Sequence, residues 1–255
     1  MTTKAVYRDN IINNLRVRYI EADLDCISVE SITDKVRNSG KFGVNGPFFV
    51  MPSGPVIGIA VRKGADPSYP SEARPVRDYA ASNDYHLATR GTIYHFDPAF
   101  NWQFLDTAVV NHYLDYKDSY GNNVPASNVK WAVSGYSLHP NLSLTKTDYY
   151  DKLKLEKVNP GPGTDYKTAR TAIGYRTYNS RRLIVLAVFE NATPWEVRET
   201  MKDYIGCNVY AVMLDGGGSS TIRWKTAGGS TGLWEAESGG RSVYAMVTAN
   251  PDIWE

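Results

Sequence analysis

Apolar residues recur along this chain in short runs broken by Gly, Pro, Asn and Ser, and few windows carry the 3.6-residue period of a long amphipathic helix. The pattern predicts strands near Leu15 to Glu21, Phe42 to Asn45, Val56 to Val61, Gly91 to Phe96 and Val129 to Ser134. Further strands are expected near Ala169 to Tyr175, Leu183 to Phe189, Val209 to Leu214, Thr221 to Lys225 and Ser242 to Val247. The unbroken apolar run from Leu183 to Phe189 reads as a central strand buried on both faces. The clearest helix starts at Thr193, where Thr193-Pro194-Trp195-Glu196 supplies an N-cap, a first-turn proline and a capping-box glutamate, and it ends at Gly206. Val197, Met201, Tyr204 and Ile205 share one face of that helix, which should therefore pack on the sheet. A shorter helix is expected from Ser31 to Asn38.

The order strand, helix, strand from Leu183 to Leu214 predicts a right-handed crossover between parallel strands, with Glu190 and Asp215 at the same sheet edge. Strand ends of this kind are where α/β units commonly bind ligands. The fold class that follows is α+β: a β-rich, twisted mixed sheet with a few flanking helices, in a single domain over residues 1–255. Residues 97–163, with the polar, aromatic-rich stretch Asn111 to Asn128 and the turn-rich Asn159 to Gly163, are expected to form a lid, a specificity insertion or a cover for the sheet edge.

Composition narrows the function. A net charge of +1 with scattered basic residues gives no electrostatic case for nucleic acid, and the doublet Arg181-Arg182 sits at a turn. The longest apolar run is far short of the ~20 residues that span a bilayer, so no membrane partner is expected. The segment from Met1 to Asp9 has no apolar core of a secretory signal, which predicts a cytoplasmic protein, one whose leader has been removed, or one released by lysis or carried in a virus particle. Cys26 and Cys207 are far apart and read as two reduced core thiols, with one bridge between them left open if the protein is exported. His86, His95, His112 and His139 lack zinc-like spacing, so no cofactor is expected, while calcium or magnesium through Asp215 and backbone oxygens stays open.

Three segments carry candidate chemistry. In Val212-Met213-Leu214-Asp215-Gly216-Gly217-Gly218-Ser219-Ser220 an apolar strand ends in a carboxylate, three glycines and two hydroxyls. Three consecutive glycines are costly to order, but they let backbone NH groups approach an anion closely. In Thr168-Ala169-Arg170-Thr171-Ala172-Ile173-Gly174-Tyr175 one arginine stands among small and apolar neighbours, where its planar fork wants a phosphate or carboxylate, from a ligand or from an ordinary ion pair. In Phe42-Gly43-Val44-Asn45-Gly46-Pro47-Phe48-Phe49 a strand ends in an amide side chain; taken alone, Asn-Gly-Pro is a good turn sequence. The 18 tyrosines and 6 tryptophans suit stacking on sugar rings, although most such rings in any protein serve packing.

Taken in this order, the segments resemble the phosphodiester glycosidase family from about Phe42 to about Thr248, with weaker matches at Gly54 to Gly58, Lys63-Gly64, Ala132 to Gly135 and Gly240 to Val243. The family usually carries Asn-Gly-Gly-Phe-Phe in the segment around Asn45, so Pro47 departs from it, and Ala187 to Asn191 lacks the glycine that commonly follows an acidic residue there. The resemblance implies hydrolysis of a sugar joined through its anomeric carbon to a phosphodiester, small molecule or polymer, releasing free sugar and a phosphomonoester. It implies Asp215 as nucleophile or base with Glu190 as second carboxylate. Substrate contacts are expected from Asn45, Arg170, Thr171, Gly216, Gly217, Gly218, Ser219, Ser220 and Arg241. Two other readings stay open: a non-catalytic module that binds sugar phosphates or a cell-surface polymer, and a family enzyme acting on a nucleotide-linked sugar. Oligomeric state is not legible.

Overall fold

The computed structural model describes residues 2–32, 34–50, 55–76, 90–96, 123–156 and 161–255. The chain opens with β1 (Lys4–Ile12), β2 (Leu15–Asp23), β3 (Ile27–Ser31) and β4 (Gly43–Asn45). Next come β5 (Ala60–Lys63), β6 (Ala73–Pro75), β7 (Gly91–Phe96), β8 (Val129–Ser137) and the helix α1 (Lys146–Leu155). The long strands β9 (Thr168–Tyr178) and β10 (Arg181–Ala192) precede the helix α2 (Pro194–Glu199) and β11 (Tyr210–Met213). The chain closes with β12 (Thr221–Lys225), β13 (Thr231–Glu235), β14 (Ala245–Ala249) and β15 (Ile253–Trp254).

These strands build two sheets. The larger has ten strands in the order β15-β1-β2-β10-β9-β11-β8-β5-β6, with β7 also on β8; the smaller has five, in the order β13-β12-β4-β14-β3. Pairing is antiparallel except between β1 and β15, which makes the large sheet mixed. Period-two alternation along β10 explains its unbroken apolar sequence. Ile184, Leu186 and Val188 face the core between the sheets, whereas Val185, Ala187 and Phe189 face the helices. The intersheet core also takes Val29, Val44, Ile222 and Val247 from the small sheet. The outer core packs Tyr149 and Leu153 of α1 with Val197 of α2. The result is an α+β domain of three layers: small sheet, large sheet and a thin helical layer.

β10 and β11 are each antiparallel to β9, so they run parallel to one another with β9 between them. That is the arrangement the strand, helix, strand order predicts, and the strand it inserts is the one carrying Arg170. The helix predicted from Thr193 to Gly206 begins on the expected capping box, Thr193 with Glu196, but is α-helical only to Glu199. It widens over Thr200–Tyr204 into a π-turn, with Ile205 N donating to Thr200 O at 3.0 Å. The turn carries Met201 and Cys207 onto Gly174, where a Cβ would lie 2.8 Å from each side chain. It also rotates Tyr204 out to 59 % exposure, against the expectation that Tyr204 shares the packed face.

Other boundaries depart from the sequence pattern for identifiable reasons. Ser31 to Asn38 is not a helix: β3 runs to Ser31, paired with Ala245, and only Val36–Asn38 forms a single 3₁₀ turn. The strand expected at Val56 starts at Ala60, because Gly58 sits at φ 105 and breaks the extended run. The strand expected from Ser242 begins at Ala245. Strands β1, β3, β6, β13 and β15 and the helix α1 have no counterpart in the predicted elements. α1 carries a capping box of its own, Thr145 with Asp148. Of residues 97–163, the described part supplies β8 and α1, and most of Asn111 to Asn128 lies outside the described residues, as do His86 and His112. Cys26 and Cys207 are both free and buried. Among the described residues no helix is long and apolar enough to cross a membrane.

Candidate active site

β11 ends at Met213, and Leu214 N extends its ladder by donating to Thr171 O at 2.8 Å. The chain then leaves the large sheet: Asp215 N donates to Gly46 O at 3.3 Å, beside the end of β4 in the small sheet. Asn45 fixes this crossing. Its Nδ2 donates to Asp215 O at 2.8 Å, and its Oδ1 accepts from Thr171 Oγ1 at 2.7 Å and Thr221 N at 3.1 Å. One fully buried amide thus joins both sheets and both ends of the glycine loop. Beyond Asp215 the chain tightens into a 3₁₀ turn over Gly217–Ser219, entered through Gly217 at φ 58. The opening NH groups of such a turn, those of Gly217 and Gly218, have no acceptor within it.

Asp215, Gly216 and Gly217 form one wall of a cavity of about 320 Å³. Arg170 and Thr168 of β9, Tyr136 of β8, Phe48 and Tyr166 complete it. Its size is at the small end of the roughly 300–1,000 Å³ typical of small-molecule clefts. Asp215 is the one carboxylate among its lining residues. Burial pushes that carboxyl up to about 6, while the Ser219 side chain, the Gly216 NH and the positive charge of Arg241 pull it back. Gly216 N donates to Asp215 Oδ1 at 2.9 Å, which fixes the carboxylate's orientation. Arg170 is only 6 % exposed, and burial draws its guanidinium below its ordinary value. It donates to Ala192 O at 3.3 Å and Tyr166 O at 3.4 Å, so carbonyls hold the head of this side chain at the cavity wall.

Arg241 stands on the outer side of the loop, paired with Glu237 at 3.0 Å. A Cβ at Gly218 would come within 2.5 Å of Arg241 Nη2, so the absent side chain there lets the pair rest on the loop.

The structure therefore brings Asp215, Arg170, Gly216 and Gly217 together in one cavity, with Gly218 and Arg241 on its flank. It gives other expected site residues a different place. Asn45, Thr171, Ser219 and Ser220 are at most 1 % exposed and are not among the residues that line the cavity; Asn45 and Thr171 bond to each other beneath the loop. Glu190 is the main correction. β10 does not stop at Glu190 but runs to Ala192 through an irregularity after Phe189, which turns the Glu190 side chain toward β2. There it pairs with Arg18 and, at 3.7 Å, with Arg16, in a cluster that includes Asp9. It does not line the Asp215 cavity. Conversely, the sequence pattern carries no sign of Tyr136 or Tyr166, and it marks Phe48 only as part of an aromatic pair after a turn; the tertiary fold brings the three together.

Asn45→Ala should destabilise the fold by about 3 kcal/mol, since it leaves the Thr171 hydroxyl, Thr221 NH and Asp215 carbonyl unpaired in the interior. Urea unfolding measures this; a loss under about 1 kcal/mol would show that the two sheets meet without the amide.

Known proteins give a consistent frame. A family model described as phosphodiester glycosidase matches residues 38–247, well over half of the chain. A search of curated proteins finds no match. Among solved structures, the chain is similar to the catalytic domain of zebrafish N-acetylglucosamine-1-phosphodiester alpha-N-acetylglucosaminidase, described as auto-inhibited by its pro-peptide. The TM-score is 0.55 at 13 % identity, over 97 % of this chain and 82 % of that one, a likeness of fold.

Proposed function

This chain belongs to the phosphodiester glycosidase family, and from that premise we propose that it hydrolyses the anomeric bond of a sugar-1-phosphodiester to free sugar and a phosphomonoester. The observation that carries the reading is the pairing, in one small cavity, of a carboxyl raised to about 6 with a buried arginine. Water adds to the anomeric carbon, the bond from that carbon to the phosphate oxygen breaks, and the bonding pair leaves with the phosphate. The sugar gains oxocarbenium character on the way, which the ionised Asp215 stabilises as nucleophile or as base toward the water. Negative charge collects on the departing phosphate. Arg170 is placed to meet it inside the cavity, with the NH groups of Gly217 and Gly218 and, from the flank, Arg241.

A phosphate leaving group departs without a strong general acid, so a single carboxylate in the cavity is chemically sufficient, and the loss of Glu190 from the site does not weaken the reading. Cleavage at the anomeric carbon leaves the phosphate oxygens unlabelled when the reaction is run in heavy-oxygen water, whereas attack at phosphorus labels them.

The elevated carboxyl predicts a pH profile. If Asp215 must be ionised, kcat/KM rises with pH through about 6 and levels above it. A profile that instead falls through that point would assign Asp215 the opposite role, as an acid.

A further inference from the structure

We propose that the Tyr136 hydroxyl is a third substrate-contacting group of this cavity, donating a hydrogen bond to an oxygen of the bound sugar phosphate; this rests on the function proposed above. Tyr136 is 2 % exposed, and its hydroxyl has no hydrogen-bond partner among the described residues. Buried hydroxyls are normally satisfied, so an orphan on a residue that lines a binding cavity points to a partner that arrives with the ligand. Tyr136 also lines the cavity that holds Asp215 and Arg170.

Its position follows from the strand pairing. Tyr136 sits opposite Met213, two residues before Asp215, and the neighbouring Gly135 lets β8 press close to β11, since a Cβ there would lie 2.2 Å from Met213 O. The half-buried Phe48 ring packs on Tyr136 with ring centroids 4.8 Å apart. Burial raises the phenol above its ordinary value, so it keeps its proton near neutral pH and can act as a donor there. Its electrostatic neighbours are Arg90, Arg170, Glu156 and Asp215, which places it between the carboxylate and the arginine of the site and the buried Arg90 and Glu156. A neutral donor there can follow an oxygen as charge develops without repelling the phosphate.

Tyr136→Phe removes the hydroxyl and keeps the ring. With a methyl sugar-1-phosphodiester as probe, kcat/KM should fall about 10- to 100-fold while the melting temperature holds or rises, because a buried orphan is removed. A purely structural hydroxyl would show the opposite: unchanged kcat/KM, or a lowered melting temperature. Wild-type turnover with Tyr136→Phe within about twofold of it overturns the proposal and leaves the proposed function standing. If the wild type turns nothing over, the proposed function fails instead, and calorimetric titration with the sugar 1-phosphate decides the contact. About tenfold weaker binding by Tyr136→Phe then supports it; equal affinity, or no binding by either protein, overturns it.

Discussion

Asp215→Asn is expected to lower turnover of a sugar-1-phosphodiester at least about 1,000-fold while the protein stays folded and, above pH 6, becomes more stable. Two parts of the structure give this double outcome. Among the described residues Asp215 is the single carboxylate lining the cavity, so none of them stands ready to take over as nucleophile or base. Yet the loop does not depend on its charge. Asn45 bonds to the main-chain carbonyl of Asp215, and Gly46 O accepts from its NH, both of which survive the substitution. The stability change has a definite sign. The folded-state carboxyl is raised from 3.8 to about 6, so its contribution favours the fold at low pH and is lost as pH rises through about 6. Above that, an ionised carboxylate is held where burial disfavours charge, at a cost on the order of 3 kcal/mol that the neutral amide avoids. Kinetics together with thermal unfolding at pH 5 and pH 8 tests both halves. Full activity in the variant would remove Asp215 from the chemistry, and equal stability at the two pH values would show its carboxyl to be unperturbed.

Arg170→Lys should reduce kcat/KM by roughly 100-fold, and Arg170→Met by more, with the phosphate-bearing substrate losing most. The guanidinium is held by the carbonyls of Ala192 and Tyr166, so its head is fixed before any ligand enters. A lysine keeps the charge but lacks the planar fork that answers two oxygens at once. Comparing a phosphodiester with an uncharged glycoside of the same sugar separates phosphate recognition from fold damage. If both substrates suffer equally, Arg170 supports the wall of the cavity and does not read the phosphate.

The parts of the fold legible in the sequence are those where one physical signal dominates. The apolar run of β10, the extended segments β7 and β12, and the capping box at Thr193 each appear where the pattern puts them. The helix after Thr193 was misjudged past Glu199 because 3.6-residue periodicity cannot reveal a π-turn, which tight packing on Gly174 accompanies. β1 was invisible for a different reason: its outer half, from Arg8 to Ile11, is exposed and polar enough to resemble a loop. In the site, the glycine run and the lone arginine of a small-residue strand single out Asp215 and Arg170, which the fold brings into one cavity; backbone freedom and charge in an apolar setting are both written locally. Whether a polar residue faces ligand or interior is not written locally. Asn45, Thr171, Ser219 and Ser220 read as binding groups in one dimension; in three they are buried, with Asn45 and Thr171 bonded to each other. Glu190 lies in the three residues by which the strand runs past Phe189, and its side chain pairs with Arg18.

The most direct test of the central claim is phosphorus NMR of the wild-type protein and its Asp215→Asn variant against a panel of sugar-1-phosphodiesters and nucleotide sugars, with and without calcium. The account predicts a new phosphomonoester signal with the wild type alone, and the compound that turns over names the substrate class. Bound-ligand broadening with no product from any compound would contradict it and would leave a sugar-phosphate binding module built on a glycosidase scaffold.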